Sequence, residues 1–387
     1  MGQSNSEEIN MKILIAGDFA PRARLAKQIE GRKFSEVFPE DVREAIISAD
    51  FSFVNFESPV VEEGYQPIAK CGPNLKCTPE AAEAVRYAGF TGVTMANNHI
   101  LDYGHEGLRK SIECCKNQGL DVVGVGKNLS EAEKILYLEK EGKKLAIINC
   151  CEQEFSIASD TTAGANPLNP IRQYYAIQEA KKQADYVLVI VHGGHEHFQL
   201  PSLRMQETYR FFVDAGADAV VNHHQHCYSG YEVYKGKPLF YGLGNFCFDA
   251  SKMRNSIWNE GYMVMLSFDK QAITYQMIPY VQYNDNASIE LLRDRTLFDK
   301  SIEKLNAIIQ DSKELKKEVD EYYRSTASSM LLMHQPYENR ILNKLYRMHL
   351  LPSLVSRKKY LMLLNYINCE AHHDKHVFAL KNLFDKQ

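Results

Sequence analysis

The chain has 387 residues, more than one compact core usually holds, so a main domain and an appendage are expected. Hydrophobic residues make up 45% and charged residues 24%, as in soluble globular proteins, and the formal net charge of -4 gives no electrostatic footprint for nucleic acid. Nine cysteines, an odd number without paired CxxC spacing, fit reduced thiols in a cytoplasmic protein better than a disulfide framework.

No stretch of about 18 or more apolar residues occurs, so no transmembrane segment is expected. The first ten residues, MGQSNSEEIN, are polar and read as a disordered leader. Within them Gly2 and Ser6 match the short N-myristoylation pattern, which is open as to use.

Residues 11 to 16 (MKILIA) predict a buried strand that runs into Gly17 and Asp18. A helix is expected over 36–49. Residues 51–54 predict a second strand, ending in Asn55, Phe56, Glu57 and Ser58 before Pro59 closes it. Residues 62–77 lack periodicity and read as a loop able to cover a site. Thr78 and Pro79 start a helix that ends near Gly89. A third strand over 92–96 stops at Asn97, Asn98 and His99, followed by a helix over 105–118.

Residues 136–149 read as a hairpin around Gly142, and 152–170 as a long loop of the kind that forms a substrate wall. Helices near 172–183 and 204–214 lead into two apolar runs. The first ends at His192-Gly193-Gly194, and the second at Asn222-His223-His224-Gln225-His226. Such continuous apolar runs suit strands of a parallel sheet covered on both faces. Ligands of open α/β sheets sit beyond the carboxyl ends of the strands. In extended chain His224 and His226 would point the same way. A second hairpin over 231–241 precedes Gly242-Leu243-Gly244-Asn245-Phe246, whose glycines suggest backbone packed against a site. Closing strands are expected over 261–268 and 273–283. Beyond about Asn284, helical spacing with many Lys and Glu predicts an appendage over 285–387, suited to internal packing, a dimer contact or a protein partner. The main domain is expected over 11–284.

The strand ends thus offer Asp18, Glu57, Asn98, His99, His192, His224 and His226. Oxygen and imidazole ligands without thiolate suit Mn, Fe, Zn or Mg. Two carboxylates, an amide and three histidines exceed the needs of one ion and could hold two divalent metal ions. A bridging carboxylate such as Glu57 would bring them to roughly 3.5–4 Å, the spacing of two-metal phosphoryl sites. His99 is left as a non-ligand histidine and candidate general acid.

The ordered motifs GD (17–18), NFES (55–58), ANNHxxDYG (96–104), HGG (192–194), NHHQH (222–226) and YGLGNFCF (241–248) resemble the CapA-like poly-gamma-glutamate capsule synthesis family, a branch of the calcineurin-like metallophosphoesterases. The resemblance covers about residues 11–283. It implies a four-layer αββα sandwich around a dinuclear centre. Asp18 would bind the first metal, Glu57 would bridge, Asn98 would bind the second, and His192, His224 and His226 would complete the shells. His99 would be the catalytic proton donor, with Asn55 and Asn97 orienting ligands. Two departures stand out. The Asp-x-His of most phosphoesterases is Asp18-Phe19-Ala20 here, which removes one histidine ligand, and His223 falls where they commonly have Gly. The resemblance implies hydrolysis of a phosphorylated substrate or, alternatively, non-hydrolytic handling of an anionic polymer; a scaffold acting through the helical tail is the third reading.

Overall fold

Strands that end on charged or polar residues meet at one edge of two facing sheets. The computed structural model describes residues 10–269, 272–337 and 339–384. The expected leader with Gly2 and Ser6 lies outside them.

The first sheet runs, edge to edge, Ile289–Leu291, Ile273–Gln282, Glu260–Phe268, Met11–Phe19, Phe51–Phe56, Gly92–Thr94 and Asp121–Val123, with Asn245–Cys247 paired to the end of Met11–Phe19. Its last four strands are parallel, and the three before them join antiparallel. The second sheet runs Tyr231–Tyr234, Lys237–Phe240, Ala219–His223, Tyr186–His192, Lys143–Cys151 and Leu136–Lys140. Every residue of Tyr186–His192 is buried, as an apolar run between neighbours and covering helices requires.

Strands Met11–Phe19 and Ala219–His223 touch across the sheet interface, as do Asp121–Val123 and Lys143–Cys151. Helices Glu40–Ile47 and Gly104–Asn117 pack on the first sheet, and Pro170–Gln183 and Leu203–Asp214 on the second. The architecture is therefore an α/β sandwich of four layers, αββα, followed by C-terminal helices.

Local chemistry sets several ends. Asn169 caps Pro170–Gln183 by accepting from the backbone N–H of Ile171 and Arg172, and Ser202 caps Leu203–Asp214. Gly89 closes Glu80–Ala88 with a φ of 106°, which glycine adopts without strain. The single helix expected over 36–49 is two, Phe34–Val37 and Glu40–Ile47, because Pro39 sits at the cap of the second and cannot continue the first. Part of the long 152–170 loop is ordered as strand Gly164–Ala165, paired with Val125–Gly126. None of the nine cysteines is paired, and six are buried.

The first compact unit continues past Asn284 to Leu315, and the second covers Lys316–Gln387. Strand Ile289–Leu291 extends the first sheet, and helix Thr296–Gln310 buries Phe298, Ile302, Leu305 and Ile309. Asn306 Oδ1 accepts from the Tyr231 N–H at 2.7 Å, and the Ile309 carbonyl accepts from Gln206 Nε2 at 2.9 Å. The second unit contains the rest of helix Ser312–Leu332, with Arg340–Arg347, Arg357–Asn368 and Glu370–Phe384.

Candidate metal centre

The register lines up the ligands before any side chain is placed. Asp18 stands opposite Asn55 on one side and Asn245 on the other, and His192 stands opposite His223. Gly17 makes this possible: a Cβ there would meet the Gly244 carbonyl oxygen at 1.9 Å, and that carbonyl accepts the Asp18 N–H at 3.2 Å. Gly17, inside strand Met11–Phe19, and Gly244 pack backbone on backbone beside Asp18, as the Gly-Leu-Gly motif suggests.

Strand Ala219–His223 stops at His223. His224 and His226 lie beyond it with φ of 92° and 54°, so the expected extended pair is not extended. These are left-handed conformations that non-glycine residues rarely hold without surrounding constraint. The turn sends the two imidazoles to different partners.

Around His192 Nε2 converge Asn98 Oδ1 at 3.0 Å, His224 Nδ1 at 3.1 Å and Glu57 Oε1 at 3.6 Å. On the other side, His226 Nδ1 lies 3.5 Å from Asp18 Oδ2, and its Nε2 lies 3.8 Å from Glu57 Oε1. Two groups of potential ligands result: Glu57, His192 and His224, and Asp18, Glu57 and His226, all buried. Glu57 belongs to both.

Supporting groups hold these ligands. The Asn55 amide donates to Asp18 Oδ1 at 2.7 Å and lies 3.1 Å from His192 Nδ1. Asn97 in turn donates to Asn55 Oδ1 and to the Phe56 carbonyl. Asn245 Oδ1 lies 2.9 Å from His226 Nδ1, while its amide is fixed on the carbonyls of His226 and Trp258. Asn98 donates to Glu154 Oε2 at 3.3 Å, which turns its Oδ1 toward His192. Such partners orient metal ligands and tune their basicity.

The electrostatics of this cluster are unbalanced without a cation. Both Glu57 oxygens are buried and have no hydrogen-bond partner. Burial, and then the charge of Asp18, push the Glu57 carboxyl well above its usual range. Burial opposes a charged His226, yet the Glu57 and Asp18 carboxylates pull it up to about 10. For Asp18, burial is outweighed by His226 and the neighbouring imidazoles, which hold its carboxyl low. Burial keeps His192, His223 and His224 below the ordinary histidine value. A buried carboxylate with no donor costs several kcal/mol, roughly, unless it is paired or bound to metal. Ligands held at about 2.1 Å from one ion are separated by roughly 3–4 Å, which matches the spacings here. The residues present therefore fit divalent cations.

His99 is buried beside this cluster. Its Nδ1 lies 2.7 Å from Asp102 Oδ2 and 3.1 Å from Lys70 Nζ, and Lys70 pairs with Asp102 Oδ1. Asn97 Oδ1 accepts the His99 N–H. His223 is buried with neither ring nitrogen hydrogen-bonded, and its Nδ1 lies 3.8 Å from Asp18 Oδ1. Six of the expected site residues, Asp18, Glu57, Asn98, His192, His224 and His226, are thus brought together, and His99 follows Asn98 with its ring on Asp102 and Lys70. Sequence reading missed Lys70, Asp102, Glu154 and Asn245 as functional groups. Asn245 had a signal in its glycine flanks, and Asp102 in its spacing from His99; Lys70 and Glu154 sit in loops without periodicity. Ala20, two residues after Asp18, packs with Leu75, Phe248 and Trp258.

A family model described as "Bacterial capsule synthesis protein PGA_cap" matches residues 12–250. The chain belongs to this family of capsule synthesis proteins. It is 34% identical over 256 residues to the capsule biosynthesis protein CapA of Bacillus anthracis, covering 64% of this chain and 62% of that one. It is 34% identical over 234 residues to the PGA biosynthesis protein CapA of Bacillus subtilis (strain 168), covering 60% and 62%. The matches span less than two thirds of these relatives' own length. Among solved structures, the chain is similar to a candidate 5'-nucleotidase from Staphylococcus aureus, with a TM-score of 0.45, 14% identity, and coverage of 76% of this chain and 58% of that one.

Proposed function

We propose that this chain is a metal-dependent phosphoester hydrolase acting in the synthesis of an anionic capsule polymer. The observation that carries the reading is the pair of buried ligand groups sharing Glu57. In this reading Asp18, Glu57 and His226 hold one divalent ion, and Glu57, Asn98, His192 and His224 hold the second. Bound there, such ions draw charge from a phosphoryl group and make water a competent nucleophile near neutral pH. Mn, Fe, Zn and Mg all suit this oxygen and nitrogen set.

The chain's own groups do the rest. Glu57 has two unpartnered oxygens to share between positions, and Asn55 and Asn245 fix Asp18, His192 and His226 in orientation. Asp102 Oδ2, 2.7 Å from His99 Nδ1, orients the ring, and in this reading His99 in its imidazolium form would give its Nε2 proton to the departing oxygen and keep the one at Nδ1. Lys70 keeps Asp102 paired. The Bacillus relatives are named for capsule and PGA biosynthesis, which supports a phosphorylated precursor or an anionic polymer end as substrate.

A second reading is a non-hydrolytic factor for polymer synthesis or export, favoured by Ala20 in place of a histidine ligand. Metal content per chain discriminates first. Close to two ions in the wild type and far fewer in His224→Ala/His226→Ala are expected; no metal after soaking in Mn or Zn overturns the centre. A screen of phosphomonoesters and phosphodiesters follows. His99→Ala is expected to lose about 10²–10⁴-fold in turnover and keep its metal. Full activity in that variant removes His99 as the acid. A metal-loaded wild type that turns over no phosphoester leaves the polymer-handling reading.

A further inference from the structure

Among its described residues the second unit buries few apolar side chains and exposes many. Of these residues, only Val319, Leu332 and Val355 are buried apolar side chains. Ile341 is 72% exposed, Leu350 63%, Leu354 61%, Leu361 58%, Leu364 53% and Ile367 64%. Exposed aliphatic side chains so closely spaced mark an interaction surface.

The charge on the same segment says what it faces. Between Asn339 and Cys369 there are six Lys and Arg residues, Arg340, Lys344, Arg347, Arg357, Lys358 and Lys359, and no Asp or Glu, in a chain whose overall charge is -4. In helix Arg340–Arg347 the three cations recur at i, i+4 and i+7 and share a face, while Ile341, Leu345 and Met348 form the adjoining stripe. Helix Arg357–Asn368 carries Arg357, Lys358 and Lys359 in its first turn, where the helix dipole disfavours positive charge. Leu361, Leu364 and Ile367 follow along it.

We infer that residues 340–367 form a docking surface for an anionic phospholipid bilayer, with the aliphatic stripes entering the headgroup boundary and the cations meeting lipid phosphates. Aliphatic side chains next to clustered Lys and Arg are what interfacial segments present to anionic lipid, here as adjoining stripes in Arg340–Arg347 and as a cationic first turn followed by aliphatic residues in Arg357–Asn368. The segment lies on the surface without crossing, because no helix among the described residues is long and apolar enough to span a membrane. A second copy of the chain is a poorer occupant, since it would bring two cationic segments together with no acidic residue between 339 and 369 to offset them. Nucleic acid would match the charge but leave the aliphatic side chains in water, because they offer no ring to stack on bases.

The test is co-sedimentation of the full chain with vesicles of phosphatidylcholine alone and of an equimolar mixture with phosphatidylglycerol. Binding to the mixed vesicles, weakened by added salt and absent from pure phosphatidylcholine, is expected. Arg357→Gln/Lys358→Gln/Lys359→Gln should weaken it by about tenfold or more, and so should Leu364→Gln/Ile367→Gln. The charge-conserving Arg357→Lys/Lys358→Arg/Lys359→Arg should bind as wild type, which separates lost charge from lost fold. Equal binding to both vesicle types, or to neither, overturns the inference. So does a stable dimer by light scattering that Leu364→Gln/Ile367→Gln converts to monomer without change in vesicle binding. Metal content is unaffected by any of these variants, so the result stands apart from that of the metal centre.

Discussion

At the scale of single residues the centre is a problem in protons. Metal-free, Glu57 and His226 together hold a proton that exposed groups would have released near neutral pH: burial and Asp18 raise the carboxyl, and the two carboxylates raise the imidazole. A cation must displace that proton. Both shifts are upward, so lowering the pH fills the competing proton site, and metal affinity falls as pH falls. The expected slope is roughly tenfold per pH unit for each proton displaced between about pH 6 and 8. Chelator competition at several pH values measures it, and a flat profile would mean the centre is already deprotonated. His223 poses a second question at this scale. Its nitrogens have no hydrogen-bond partner, and Asp18 lies 3.8 Å away. His223→Leu keeps most of the volume and removes that neighbour; affinity at the Asp18 position should drop about tenfold, as when an orienting partner is lost. Unchanged affinity would assign His223 to packing.

At the scale of elements, what the sequence declares depends on whether the signal is periodic. Asp18, Glu57 and His192 are legible because each follows an apolar run that stops abruptly, and parallel topology puts such ends together. The divergence of His224 and His226 is not legible, because a positive φ at histidine is imposed by surrounding packing and leaves no local trace. Lys70 is hidden for a related reason: its loop is placed by long-range bonds, such as the Ile68 N–H donating to the Asp102 carbonyl, which no spacing announces. Arg24 is another such tie. At the start of helix Ala23–Glu30 it makes two side-chain bonds to the buried Asp249, at 2.9 and 3.0 Å, and reaches the carbonyls of Tyr283, Asn284 and Asp285. Arg24→Ala strips these partners from a carboxylate whose side chain is fully buried. The expected loss is about 1.5–3 kcal/mol, that of charge-assisted hydrogen bonds, because the backbone N–H of residue 24 at 2.9 Å and Arg254 at 3.5 Å stay with Asp249. Denaturant unfolding measures it, and a loss below about 1 kcal/mol would mean Arg254 or water takes over.

At the scale of the whole molecule, composition and spacing place an appendage from about Asn284, where glycine thins out and helical spacing begins, whereas the compact units divide after Leu315. The structure shows why that signal misleads. Helix Thr296–Gln310 has the same spacing as the later helices, but its stripe is spent on the first unit, with Phe298, Ile302, Leu305 and Ile309 all buried. Burial of four such side chains contributes roughly 6–12 kcal/mol, as much as the whole net stability of a typical domain, about 5–15 kcal/mol. A chain cut after Asn284 would also lose strand Ile289–Leu291 and expose the edge of Ile273–Gln282. It is expected to be insoluble or unfolded. A chain ending at Leu315 keeps this helix, the sheet edge and every residue of the metal centre, and should unfold cooperatively with the metal content of the full chain. Circular dichroism and metal analysis of the two truncations decide between the boundaries. A folded, metal-binding chain ending at Asn284 would show that the packing of helix Thr296–Gln310 is dispensable and that the compositional boundary is the physical one.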